Sequence, residues 1–191
     1  MDQPNFTSGL GIIRIEGTAT IPAGQEVKVL DTVISDNLKR DEIFQHWRGQ
    51  IINNSLFVED KIDSIITNLL FKQDVEKSSL FRLVILSREF FGFMSKWKVL
   101  RDFLKTLMPF KDKDYSELFK DLHFIIDERD KFAHGQVSYS GMQGEKIFLT
   151  YFKETSKKEE ITESTIINFK EVCSRCHQEL DKIMQFGQDL N

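Results

Sequence analysis

From about residue 37, apolar side chains recur at three-, four- and seven-residue steps: Ile43, Trp47, Ile51, Val58, Ile62, Ile65 and Leu69. That is the period of a long helix with one buried face, and Asp36 or Asn37 is placed to cap its start. A second helix is predicted from about Ser79 to Leu107, with Leu83, Leu86, Phe90, Phe93, Met94 and Trp97 facing inward and Pro109 ending it. A third runs from about Tyr115 to Ala133 on Leu118, Leu122, Ile125, Ile126 and Phe132, and Gly135 stops it just past its end. A final helix opens at Thr162 or Ser164 and carries Ile166, Phe169, Val172, Leu180, Ile183 and Phe186.

Two stretches break this period. Residues 1–36 form a separate arm: 11–21 is rich in β-branched residues, Pro22-Ala23-Gly24-Gln25 supplies a turn, and Val27-Lys28-Val29-Leu30 reads as a returning strand. Residues 136–161 read as an inserted hairpin, with strands at 137–139 and 147–152 around Gly141-Met142-Gln143-Gly144. Lys157-Lys158-Glu159-Glu160 reads as a solvated loop. The fold class expected is therefore mainly α, an up-down bundle of about four main helices over 37–191, with short β elements in the arm and after the third helix.

Composition narrows the picture. With 191 residues, 40% hydrophobic and 29% charged, the chain has the balance of a globular protein. No stretch approaches the roughly 18 consecutive apolar residues of a membrane helix. The start lacks the basic and apolar regions of a signal peptide, and two Cys imply no disulfide framework, so a cytoplasmic setting is expected. A net charge of −4 argues against a general nucleic-acid coat protein but leaves room for local positive charge in a cleft.

The residues that could carry chemistry stand at the end of the third helix. Arg129 and His134 are five positions apart, about 140° around a helix, so they do not lie on one narrow stripe, but both can reach a cleft beside the helix end. Asp130 lies four residues before His134 on the same face and can accept a hydrogen bond from the imidazole. A helix C-terminus also favours a cation there. An imidazole so placed suits proton transfer near neutrality, and an Arg presents a planar fork to phosphate. These are the groups needed to cut RNA without a metal. One His does not readily make both proton transfers, but a two-fold dimer meeting near Arg129 would supply two. A surface charge pair for Arg129 and Asp130, with His134 as a helix cap, is the alternative these residues leave open.

The segment Arg129-Asp130-Lys131-Phe132-Ala133-His134-Gly135 resembles the HEPN superfamily of RNA-cleaving and RNA-binding proteins, marked by an Arg, a polar residue directly after it, and a His after four to six intervening residues. Phe90-Phe91-Gly92-Phe93-Met94-Ser95-Lys96 is similar to the Phe-and-Lys helix of mannitol-operon-repressor-like relatives. The resemblance covers about 40–135 and the last helix. It implies a metal-independent, cofactor-free endoribonuclease acting on RNA as a homodimer, as a toxin or phage-defence effector whose partner is an antitoxin or a complex subunit. His134 would be the acid/base, Arg129 the phosphate clamp and Asp130 the orienting group. Lys131, with the basic stripe Lys98, Arg101 and Lys105, would contact the RNA backbone, although a solvated helix face explains that stripe more simply. The other implied role is a non-catalytic interaction or regulatory module in a larger assembly. One subfamily is modified on a Tyr two residues after the His. Here that position is Gln136, and the nearest Tyr is Tyr139. Cys173-Ser174-Arg175-Cys176-His177 matches a haem-attachment pattern, but it falls inside a helical period and is read as coincidence.

Overall fold

A 43-residue helix, α1 (Val29–Phe71), is the spine of the molecule. The computed structural model describes residues 29–71, 74–88, 91–107, 110, 113–140 and 146–188. Most of the predicted N-terminal hairpin and the Gly141–Gly144 turn lie outside them. Where 29 and 30 were expected to be strand, helix has already begun, and Asp36 and Asn37 sit within it rather than capping it. Ile51, Val58, Ile62 and Ile65 are fully buried, as their spacing requires. Ile43 is not: it is 45% exposed, and Phe44 takes the core position.

The predicted second helix is broken in two. After α2 (Val75–Phe81) the chain widens into a π turn over Arg82–Leu86, closed by Ser87 N–H donating to the Arg82 carbonyl at 2.9 Å. Helix α3 (Phe93–Thr106) then starts afresh behind Gly92, whose backbone is extended. Gly is a poor helix residue, and its carbonyl accepts from Ser95 and Lys96 N–H to open the new helix. One consequence is that Leu83, expected inside, is exposed, while Phe93, Leu100 and Leu104 are buried.

Helix α4 (Ser116–His134) buries Leu118, Leu122, Ile125, Ile126 and Phe132. It packs against α1, α3 and the last helix, α5 (Glu163–Gln188). Arg48 of α1 meets Phe132 and Gly135, and Glu59 meets Arg129, so α1 and α4 run antiparallel. From α5, Ile166, Phe169, Val172, Leu180 and Ile183 complete the core. Phe186 does not join it; the Lys113 ammonium lies over its ring.

Between α4 and α5 lies an antiparallel sheet of three strands, not two: β1 (Gln136–Ser140), β2 (Lys146–Lys153) and β3 (Thr155–Ile161), in that order. The expected loop at 157–160 is the middle of β3. Its charged residues gave no apolar alternation to read, yet its backbone pairs with β2 from Lys153↔Thr155 to Ile147↔Ile161. Glu154 makes the tight turn between them with φ 61°. Ile147, Leu149 and Ile161 are buried, and β2 packs on α4. The architecture is mainly helical with one small sheet. Among the described residues no helix is long and apolar enough to cross a membrane.

Candidate functional site

The C-terminal end of α4 is tied down on several sides. Phe132 stacks on Phe44 of α1 with ring centroids 5.9 Å apart. The last carbonyls of a helix lack internal partners, and Arg48 satisfies two beside it: its Nε donates to the Phe132 oxygen at 2.7 Å and its Nη2 to the Gly135 oxygen at 2.8 Å. Gly135 has φ −74° and ψ 151°, so it is extended and does not stop the helix in a left-handed cap. Space is what demands glycine. A Cβ there would lie 2.5 Å from the Lys131 oxygen and 2.6 Å from Leu149 Cδ1. The chain therefore leaves α4 directly into β1, hugging β2.

His134 is the last residue of α4 and is exposed, as is Asp130. The hydrogen bond expected between them is not formed. Exposed pairs of this kind contribute little either way, and the equally spaced His123 and Asp127, also partly exposed, lie with Nδ1 3.6 Å from Oδ2. Arg129 lies further round the helix, 31% exposed, with its guanidinium 4.0 Å from Glu59 Oε2 on α1. Arg129 and His134 are thus brought to the same helix end within one chain but not into contact.

Behind Arg129 is a charge cluster that was not anticipated. Lys96 of α3 is 5% exposed, and its Nζ lies 2.8 Å from both Glu59 Oε1 and Asp63 Oδ2 of α1. Burial alone would lower the Lys96 pKa, but the bonds to Asp63 and Glu59 outweigh it and hold the ammonium above its usual range. Burial pushes the Asp63 carboxyl up, against the Lys96 contact. Asp63 Oδ1 is buried with no hydrogen-bond partner. The signal was present in the sequence: Glu59 and Asp63 interrupt the stripe Val58, Ile62, Ile65, and Lys96 interrupts Phe93, Leu100, so opposite charges occupy core positions of two helices. Arg48, too, is the one charged residue between 43 and 57.

The basic residues expected to touch RNA are placed differently. Lys131 is drawn into the fold: its Nζ donates to Glu128 Oε1 at 2.5 Å and Glu159 Oε2 at 3.3 Å and sits over the Tyr151 ring. Burial opposes its charge, yet Glu128 and Glu159 raise its pKa. It pins β3 to α4. Arg101 lies over the Trp97 ring at 5.0 Å and pairs with Asp102, while Lys98 and Lys105 are exposed. Tyr139 donates to Asp41 Oδ1 at 2.9 Å, tying β1 to α1. Cys173 and Cys176 are free, buried core residues of α5; burial pushes the Cys173 thiol up to about 12 and Cys176 higher still. Among the described residues no three His, Cys, Asp or Glu side chains stand together as a metal site. Comparison of the chain with protein-family models, with curated proteins and with solved structures finds no match.

Proposed function

We propose that this chain is a metal-independent endoribonuclease of HEPN type, with Arg129 and His134 as its catalytic residues and a homodimer as its working form. The observation that carries the reading is the end of α4: His134 exposed, Arg129 partly exposed with its guanidinium held at Glu59, and the helix end fixed by Arg48, Phe44 and β2. Such rigid support is what a catalytic constellation requires. His134 of one copy removes the proton of a ribose 2′-hydroxyl, whose oxygen bonds to phosphorus. The bond from phosphorus to the 5′-oxygen breaks, and that oxygen takes its proton from His134 of the second copy. Arg129 stabilises charge on the phosphorane oxygens. Asp130 is the neighbouring polar residue of the motif; Lys98, Arg101 and Lys105 are the candidate backbone contacts. A toxin or phage-defence role, restrained by an antitoxin or complex subunit, fits this activity.

Cleavage of a single-stranded RNA oligonucleotide tests it. Wild-type protein leaves 2′,3′-cyclic phosphate ends and keeps its activity in EDTA, and His134→Ala reduces the rate by ~10²–10⁴. Folded His134→Ala protein that cleaves as fast as wild type removes the reading. A second reading, a non-catalytic interaction module, is favoured by α2 and the π turn: α2 has no buried residue, and Val75, Leu80, Leu83 and Val84 are exposed. Under that reading wild-type and His134→Ala proteins are equally inactive on RNA.

A further inference from the structure

We infer that Glu59 is a positioning residue for Arg129, and that Lys96 and Asp63 hold Glu59 in place for that purpose. The inference rests on the nuclease reading for its functional meaning, but its geometry is independent of it. Glu59 has two differently engaged oxygens. Oε1 is 2.8 Å from the Lys96 ammonium, and Oε2 is 4.0 Å from Arg129 Nη2. Lys96 is gripped in turn by Asp63 at 2.8 Å, so four charges from three helices form one chain: Asp63, Lys96, Glu59, Arg129.

Stability does not explain this arrangement. The Glu59, Asp63 and Lys96 side chains are 13%, 12% and 6% exposed, and taking charges out of water costs about as much as their attraction returns, so apolar replacements of such groups are often harmless. Asp63 Oδ1 even lacks a partner. What the cluster does supply is a fixed electrostatic setting. A long Arg side chain at a helix surface samples many rotamers. At 4.0 Å, Glu59 attracts one edge of the guanidinium without using a hydrogen bond, which leaves the other donors for a phosphate. Lys96 has a second effect. Its ammonium, 2.8 Å from Glu59 Oε1, offsets part of the negative charge of the carboxylate that faces Arg129, so that carboxylate repels an incoming anion less.

The test is the side-chain Nε–Hε signal of Arg129 in ¹⁵N-labelled full-length chain, assigned by its loss in Arg129→Lys. In Glu59→Gln this signal moves toward that of free arginine while the backbone amide pattern is retained. Turnover of the RNA oligonucleotide falls roughly 10- to 100-fold, the scale of a small misplacement, measured well below a melting midpoint that is lowered because Lys96 loses one buried partner. Should Glu59→Gln not fold, the triple variant Glu59→Gln, Asp63→Asn, Lys96→Met carries the same measurement, because it leaves no buried charge unpaired. An Arg129 signal in the folded variant that coincides with wild type overturns the inference whatever the cleavage rate. A signal that moves in a protein whose wild type does not cleave RNA upholds the positioning and removes the nuclease reading instead.

Discussion

Gly135 shows how one residue can be required for a reason its type does not announce. Glycine just past a helix ordinarily means a left-handed cap, but here the backbone is extended and any residue could adopt it. The constraint is the approach of β2: Lys131 O and Leu149 occupy the volume a Cβ would need. Gly135→Ala should therefore behave as an overpacking mutation, destabilising by about 1–3 kcal/mol, and should disturb His134 next to it. Chemical denaturation measures the first effect; a loss of less than about 0.5 kcal/mol, the range of an ordinary surface change, would show that α4 and β2 can separate freely. His134, Asp130 and Arg129 were all legible in the sequence as chemistry-bearing types at a helix end. Their mutual distances were not, because a fixed residue spacing sets an angle around the helix and says nothing of which neighbour each side chain finds.

At the scale of elements, α1 and α3 are joined by the buried Lys96. Its folded pKa lies above the ordinary value of 10.5: burial pulls it down, but the bonds to Asp63 and Glu59 win. A group raised in the fold contributes stability that is complete below its unfolded pKa and is lost as pH rises through the folded one. The melting midpoint should thus fall on alkaline titration above pH 10.5, and fall less steeply in a folded Lys96→Met variant. Lys131, also raised, acts in both proteins alike and cancels in the comparison. Identical alkaline slopes would mean that Lys96 is no better bound in the fold than in the open chain. Asp63 has a consequence of the same sign at the acid end: its pKa is raised by burial, so its protonated form is favoured by the fold, and its contribution is present below the ordinary 3.8 and declines as pH rises through the higher folded value.

For the molecule as a whole, the open matter is what covers its apolar surface. Ile43, Leu56 and Phe57 on α1 are 45%, 46% and 66% exposed. Between 43 and 57 the sole charge is Arg48, whose guanidinium is committed to the end of α4. A charge-depleted surface with an exposed aromatic has the composition of an interface centre. The expected outcome is a homodimer by light scattering at micromolar concentration, shifted to monomer by Phe57→Asp with no loss of helicity by circular dichroism. A monomeric wild type that needs no other subunit would argue against the dimeric nuclease.

The mainly helical class, the places of α1, α4 and α5, and most of their buried positions follow from the sequence by itself, since a 3.6-residue period in apolar side chains is a local property that tertiary contacts seldom override. Elements whose signal is not periodic had to wait for the fold. The break before α3 depends on Gly92 and on a π turn that shifts Leu83 out to solvent. Strand β3 exists because β2 offers its backbone a partner, not because Lys157, Lys158, Glu159 and Glu160 favour a strand. The same holds for the charges. The sequence shows which residues are ionisable, but only packing decides that Lys131 is held by Glu128 and Glu159, that Lys96 is buried between Glu59 and Asp63, and that Arg129 remains at the surface beside them. Ion pairing across helices depends on distances of a few ångströms between residues tens of positions apart, and those distances are set by the core.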